Sequence, residues 1–470
     1  MNGYYTNIVS SYYVHSFGCR ATQADGAVLD RQLLERGMER AESAAAADLV
    51  VLNTCTVTAE ADKDARAKIR HIHRHNPSCK ILVTGCYAQR APEELASMPG
   101  VAWVVGNSHK QQVADIALQG CGPVGSSTSF VPLRTLAGTA PDRVFVDDIF
   151  AHTELMAAPV FDGAGYEKTR PNLKVQDGCD NRCSFCVIPF VRGQSRSLKL
   201  GDVVREMNAL VTAGYREVVI SGINLGRWGR DFSARRCFED LVRAVLSETG
   251  VERLRLSSIE PMDWSDELIE LCASSPRIAK HAHIPLQSGS DRILRLMHRK
   301  YRPWHYEQRV LKIRNAMADA AIGADVMVGF PGETDGDFEE NRAFIRALPF
   351  TYLHVFTYSP RSSTPAAAMR HQVPAEVKRE RNRILRELAA EKKQGFQEMI
   401  VGRKLSTITL DVRKNGHTET LTDNYQKLWL RGEHPPNQIV DAMVEAAEHG
   451  EMRGTIDTAS QRAKAAPEPQ

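Results

Sequence analysis

The sequence predicts an α/β protein in three parts: an N-terminal open parallel α/β domain, a central partial (βα)6 barrel, and a small C-terminal β-barrel. Three observations carry this. Short apolar runs alternate with helix-period stretches from about residue 12 to 118, the same alternation resumes at Asn172 and repeats about six times, and a long basic helix is then followed by β-type segments. Strands that alternate with helices argue for parallel sheets.

In the first part the candidate strands are Tyr12–Phe17, Asp48–Asn53, Lys80–Thr84 and Val101–Val105. Open parallel sheets carry their ligand sites at the carboxyl ends of their strands. Cys19, Cys55 and Cys86 each follow one of the first three strands by one or two residues. Three thiolates from distant sequence are therefore expected to meet along one sheet edge as a second three-cysteine cluster site; the alternative is loop cysteines without a common role. Gly18, Asn53, Thr54 and Gly85 fit beside such a site, or serve as ordinary turn chemistry. His71, His73 and His75 lie on a helix ending near Pro77, where a pair four residues apart with Cys79 could bind zinc. A solvated basic face with Arg66, Lys68, Arg70 and Arg74 is the other reading.

Periodicity fades between Gly120 and about Thr169, which reads as a linker. The barrel strands are then expected at Asn172–Gln176, Glu217–Ser221, Arg253–Ser257, His281–Pro285, Ile322–Val328 and Leu353–Thr357. Six repeats are fewer than the eight of a closed barrel, so the barrel should be partial, with its chemistry on the C-terminal face. Directly after its first strand stands Cys179-Asp-Asn-Arg-Cys183-Ser-Phe-Cys186. Three thiolates within eight residues can wrap one corner of a cubane iron-sulfur cluster and leave one iron without a protein ligand. Zinc would want a fourth ligand at finger-like spacing, and none stands nearby.

Further strand ends offer Ser221-Gly-Ile-Asn-Leu-Gly226, Ser258-Ile-Glu260, Gln287-Ser-Gly289 and Gly329-Phe-Pro-Gly-Glu333. Gly222, Asn224, Glu260, Gln287 and Gly329 are accordingly the expected cofactor contacts, since such turns admit close backbone approach and their amides and carboxylates can hold polar ligand edges. Arg370 to Phe396 forms a helix that could track phosphates or present a solvated face balanced by Glu376, Glu380, Glu387 and Glu391. After it, Leu405–Val412, Lys427–Leu430 and Gln438–Val444 read as strands of a small β-domain of a kind that often binds oligonucleotides.

Composition bounds the rest. The chain has 470 residues, 43% of them hydrophobic, and 60 Lys plus Arg against 57 acidic residues, a net +3 that leaves any RNA-binding surface to local clustering. No stretch reaches the ~18 apolar residues of a membrane span and the N-terminus lacks a leader pattern, so a soluble cytoplasmic protein is expected. In a reducing compartment the cysteines read as metal ligands or buried thiols; Cys79, Cys121, Cys237 and Cys272 receive no role beyond the latter.

With both cysteine sets placed, the chain resembles the radical S-adenosylmethionine (SAM) methylthiotransferase family across nearly its whole length. Asn53-Thr-Cys-Thr-Val-Thr58, Thr84-Gly-Cys-Tyr-Ala-Gln89, Lys174-Val-Gln-Asp-Gly-Cys179 and Leu421-Thr-Asp-Asn-Tyr425 are most similar to the branch that modifies N6-threonylcarbamoyladenosine in tRNA. It departs from that branch at Val187 and at Phe190-Val-Arg192. The resemblance implies a methylthiotransferase domain over 10–118, a linker over 119–164, a radical SAM core over 165–397, a TRAM-like RNA-binding domain over 398–458 and a disordered tail over 459–470. It implies two [4Fe-4S] clusters, on Cys179, Cys183 and Cys186 and on Cys19, Cys55 and Cys86. It also implies SAM, a low-potential electron donor such as a reductase, a sulfur donor, and a tRNA anticodon loop as partner. The activity implied is transfer of a methylthio group to C2 of the modified adenine. Sister branches act on isopentenyladenosine or on an aspartate of a ribosomal protein, and an iron-sulfur RNA-binding or redox-sensing protein is the non-enzyme alternative.

Overall fold

The computed structural model describes residues 11–119, 143–152, 155, 169–448 and 450–457. Cys121, most of the expected linker and the expected C-terminal tail lie outside them. Among the described residues eighteen strands, β1 to β18, follow one another in chain order.

The first sheet is parallel throughout, ordered β2 (Glu39–Arg40), β1 (Ser11–Ser16), β3 (Leu49–Thr54), β4 (Lys80–Gly85), β5 (Val101–Val105), β6 (Val144–Phe145). β3 is buried along its whole length, which explains its unbroken apolar run: a central parallel strand faces packing on both sides. Leu49 and Val51 turn into one core with Leu29 and Leu33, while Val50 and Leu52 turn into another with Ile69 and Ile72. The expected strands are present. β2 and β6 are additions, each two residues long and too short to leave a pattern; β6 extends the first sheet from within the stretch read as a linker.

Six parallel strands follow: β7 (Asn172–Asp177), β9 (Glu217–Gly222), β10 (Arg253–Leu256), β11 (His281–His283), β12 (Ala321–Val328) and β13 (Tyr352–Thr357). They form two arcs, β10-β9-β7 and β11-β12-β13, joined by isolated bridges Leu254–Ile278 and Ser258–His283. This is the expected open (βα)6 barrel. A short antiparallel strand, β8 (Arg196–Ser197), adds to the edge of β7. Leu173, Val175, Val218, Ile220, Leu254, Leu256, Ile322 and Ala324 pack outward against the helices. By alternation their neighbours Lys174, Gln176, Glu217, Ser221, Arg255 and Asp325 line the lumen.

A 25-residue helix, Ala375–Met399, leads into a closed five-stranded barrel ordered β14 (Lys404–Lys414), β15 (His417–Thr422), β16 (Lys427–Arg431), β18 (Glu451–Ile456), β17 (Ile439–Glu448). Three of these strands were expected. β15, His-Thr-Glu-Thr-Leu-Thr, reads as polar in sequence, yet Thr418, Thr420 and Thr422 are fully buried with their hydroxyls donating to carbonyl oxygens. β18 brings Gly454 so close to β17 that a Cβ there would lie 2.2 Å from the Met443 carbonyl oxygen. No helix among the described residues is long and apolar enough to cross a membrane.

Candidate active site

The loop after β7 holds Cys179, Cys183 and Cys186 at the carboxyl end of the barrel, where the topology requires. Gln176, buried in the lumen, shapes its entry: its amide donates to the carbonyls of Asp177 and Gly178 and to Ser195 Oγ at 2.9 Å each, and its oxygen accepts from the Asn224 backbone at 2.7 Å. Ser184 ties the loop to the far arc by donating from its backbone N–H to Met297 O and from its hydroxyl to Leu296 O. Burial, then the neighbouring Cys183 and Cys179 thiols, push the Cys186 thiol up to about 12, and burial raises Cys179 as well. Thiols that crowd one another in this way share a site, and a metal centre displaces their protons.

Two donors already point at these sulfurs. Arg299 lies 3.2 Å from Cys183 Sγ through Nη1 and pairs with the Glu260 carboxylate through Nη2, while Asn224 Nδ2 lies 3.7 Å from Cys179 Sγ. The expected cofactor contacts thus divide. Asn224 and Gln287 keep a buried, unpartnered side-chain oxygen each, and the lumen residues Ser221 and Ser257 an unpartnered hydroxyl. Buried polar atoms without partners mark where a ligand supplies them. Glu260 is engaged by Arg299. Gly222 packs on Gln176, and Gly329 donates its N–H to Glu333 Oε2 at 2.6 Å with Lys378 where a Cβ would stand. Both glycines are closely packed in this structure.

The second triplet also converges. Burial, then Cys86 and Cys19, push the Cys55 thiol up to about 12. Gly18 makes the approach possible: its φ is +80°, and a Cβ there would sit 2.6 Å from the Cys55 Cβ. Asn53 ties the end of β3 to the helix Arg20–Glu35 by donating to Thr22 O at 2.7 Å, and Thr54 ties it to the end of β4 by donating to Thr84 O at 2.6 Å. His71 and His75 lie ring against ring at a tilt, but Cys79 is buried in the core beside Ile69, and no zinc site forms from them among the described residues.

The two triplets share a wall that sequence reading missed. Cys86 is buried against Val187 and Val191, from the segment that directly follows Cys186. Asn107 Nδ2 donates to Val191 O at 2.7 Å and lies 3.7 Å from Cys86 Sγ. At the end of this wall, Arg192 bonds Asp177 at 3.0 Å and Asp25 at 2.9 Å, and Asp25 also accepts from Lys110 at 2.9 Å and pairs with Lys174. Burial alone would raise the Asp25 carboxyl; Lys110, Lys174 and Arg192 hold it well below the usual range. Four cations (Lys110, Lys174, Arg192, Arg196) against two carboxylates (Asp25, Asp177) leave an excess of two positive charges; burial works against the Arg192 charge, and Asp177, Cys86, Asp25 and Cys19 outweigh it. That field suits an anionic group on the thiolates. The residues departing from the family branch, Val187 and Phe190-Val-Arg192, are largely this wall.

Comparison with known proteins places the chain by family and fold. The model of the uncharacterized protein family UPF0004 matches residues 11–106, and that of the radical SAM superfamily residues 173–345. The threonylcarbamoyladenosine tRNA methylthiotransferase MtaB of Aquifex aeolicus (strain VF5) is 36% identical, covering 91% of this chain and 98% of the relative. Its namesake from Bacillus subtilis (strain 168) is 36% identical over 89% and 90%. A tRNA-2-methylthio-N(6)-dimethylallyladenosine synthase from Thermobifida fusca (strain YX) is 34% identical over 85% and 78%. Among solved structures, the radical SAM methyltransferase TsrM from Kitasatospora setae superposes with a TM-score of 0.56 at 17% identity over 77% of each chain, a likeness of fold. An open barrel with a three-cysteine loop after its first strand, matched by the superfamily model, defines the class as radical SAM proteins. The chain belongs to the radical SAM methylthiotransferase family.

Proposed function

We propose that this protein is a tRNA methylthiotransferase that adds a methylthio group to C2 of N6-threonylcarbamoyladenosine next to the anticodon. The observation that carries the reading is the pair of cysteine triplets on one wall, in a chain whose full-length relatives include several of that name. Cys179, Cys183 and Cys186 would hold one [4Fe-4S] cluster, and Cys19, Cys55 and Cys86 the other. The donor sets fit: each is three thiols, with burial raising Cys179 and Cys186 in the first and Cys55 in the second, and with cationic or amide donors aimed at a sulfur of each. When bound on Cys179, Cys183 and Cys186, the first cluster with SAM would supply the radical chemistry needed to remove a hydrogen that no general base could take.

The chain's own residues do the rest. Asn224, Gln287, Ser221 and Ser257 offer unpaired oxygens to SAM in the lumen, Arg299 stabilises electron density on the Cys183 side, and the Arg192 network offsets negative charge at the second triplet. The apolar wall of Val187 and Val191 keeps water from the space between them. For RNA, Arg379 and Arg386 on the long helix are exposed and without a carboxylate partner among the described residues. Arg383 of the same helix is balanced by Glu380 and Glu387, and Arg381 is buried on Glu333, so only part of its charge is free for phosphate. The N-terminal and barrel domains would divide the two clusters, with the TRAM-like barrel gripping tRNA. A cytoplasmic location, a low-potential reductase and a separate sulfur donor complete the reading.

The test is incubation of anaerobically reconstituted protein with SAM, a reductant, a sulfide source and, in parallel, tRNA carrying N6-threonylcarbamoyladenosine, tRNA carrying isopentenyladenosine, or ribosomal protein, followed by nucleoside and protein mass analysis. The 2-methylthio derivative of N6-threonylcarbamoyladenosine is expected. Product only on isopentenyladenosine or on ribosomal protein would move the protein to a sister branch, and absence of 5′-deoxyadenosine would defeat the enzyme reading.

A further inference from the structure

On the lumen side, three neighbouring strands set an imidazole, a carboxylate and a second imidazole side by side, and nothing above uses them. His283 ends β11, Asp325 lies mid-β12 and His354 mid-β13, with Asp325 directly opposite His354 in the ladder. Strand alternation fixes their direction: Ala282 and Ile284, Ala324 and Val326, and Leu353 and Val355 pack into the outer core, so the residues between them face inward.

One ligand atom of each residue lies within 4.8 Å of the other two. His283 Nε2 stands 3.3 Å from Asp325 Oδ1, and His354 Nδ1 stands 3.2 Å from the same oxygen. The first contact is not a hydrogen bond: His283 is buried, and neither of its ring nitrogens has a hydrogen-bond partner. A buried imidazole with both nitrogens unsatisfied, one of them close to a carboxylate oxygen outside hydrogen-bonding geometry, is an arrangement that a cation between them resolves.

We propose that His283, Asp325 and His354 form a binding site for one divalent transition-metal cation of the zinc or iron(II) type, built from none of the six cluster cysteines. Two imidazoles and one carboxylate select such borderline cations over magnesium or calcium, which prefer all-oxygen shells. Ligands about 2.0–2.1 Å from a tetrahedral ion stand roughly 3.3 Å apart, the separation of the two short edges here. The third edge closes by rotation of His354, whose side chain is 60% exposed and pivots on its contact with Asp325. The remaining coordination positions open on the lumen, where water or a carboxylate completes the shell. On binding, His354 takes the tautomer that carries its proton on Nε2 and leaves the Nδ1 lone pair to the ion.

The test uses the full chain with both clusters reconstituted anaerobically, dialysed against micromolar zinc chloride, desalted, and analysed for zinc and iron together. The wild type is expected to retain about one zinc per chain more than Asp325→Asn and His354→Ala at equal iron content. Asp325→Asn keeps the side-chain shape and His354 is exposed, so both variants should fold. Equal zinc in all three proteins, or retention that needs millimolar zinc, overturns the proposal and leaves His354 as a plain hydrogen-bond donor to Asp325. Because the readout is metal content, that outcome is independent of any result on methylthio transfer.

Discussion

Arg299 concentrates several effects in one side chain. It is buried, it reaches Cys183 Sγ at 3.2 Å, and it holds Glu260. A fixed positive charge beside a sulfur ligand favours the reduced, more negative cluster. Arg299→Gln is therefore expected to lower the midpoint potential of the first cluster by on the order of tens of millivolts. SAM cleavage should slow, with the iron content kept; a redox titration followed by EPR checks this, and an unchanged potential would show that the contact has no electronic effect. At this scale the sequence was legible for the six cysteines, because the spacing of Cys179, Cys183 and Cys186 is local and Cys19, Cys55 and Cys86 each follow a readable strand. The roles of Arg299, Arg192 and Asp25 were not legible. Each is an ordinary charged residue in sequence, and only long-range packing brings Asp25 against Lys174 and Arg192.

At the scale of elements, the turn from β7 into the cysteine loop is the most constrained piece of backbone. Gly178 has φ +71°, and a Cβ there would lie 1.9 Å from the carbonyl oxygen of Gln194. Neither the conformation nor the space admits a side chain. Gly178→Ala is expected to cost roughly 1–3 kcal/mol. It should also lower iron retention at the first triplet while sparing the second, as thermal unfolding and iron analysis would read. The strands were legible where burial on both faces or clean alternation marked them, as in β3 and β12. β15 escaped because its threonines bury hydroxyls that are satisfied by carbonyls, so a buried strand carries a polar signature. β2, β6 and β8 are defined by pairing partners and not by their own two residues.

Across the whole molecule, charged contacts join the parts. The loop Thr422–Tyr425 of the terminal barrel seats on the central one: Arg255 donates to Asp423 O at 2.9 Å and to Thr422 O at 3.1 Å, and Tyr425 stacks near His281 at 4.4 Å. Arg255 is itself fixed by Glu217 at 2.7 Å. Burial would raise the Glu217 carboxyl, but Arg255, Arg253 and Arg170 outweigh it and bring it to about 2. A carboxyl depressed below its unfolded value of about 4.3 stabilises the fold above that pH and loses the contribution as pH falls toward 2. Docking of the terminal barrel should therefore loosen between about pH 4.3 and 2, and Glu217→Gln should loosen it already at neutral pH, as limited proteolysis after the 375–399 helix would detect. On the other side, Asp62 of the N-terminal part pairs with Arg361 of the barrel part at 2.6 Å, and the Asp25 network crosses the same boundary. These contacts hold the two triplets on a common wall. The central claim, two cluster sites of three cysteines each, is met most directly by iron analysis of anaerobically reconstituted protein beside two triple variants, one with Cys179, Cys183 and Cys186 changed to Ala and one with Cys19, Cys55 and Cys86 changed. About eight irons per chain in the wild type and about four in each variant are expected; four in the wild type, with one of the variants unchanged from it, would contradict the account.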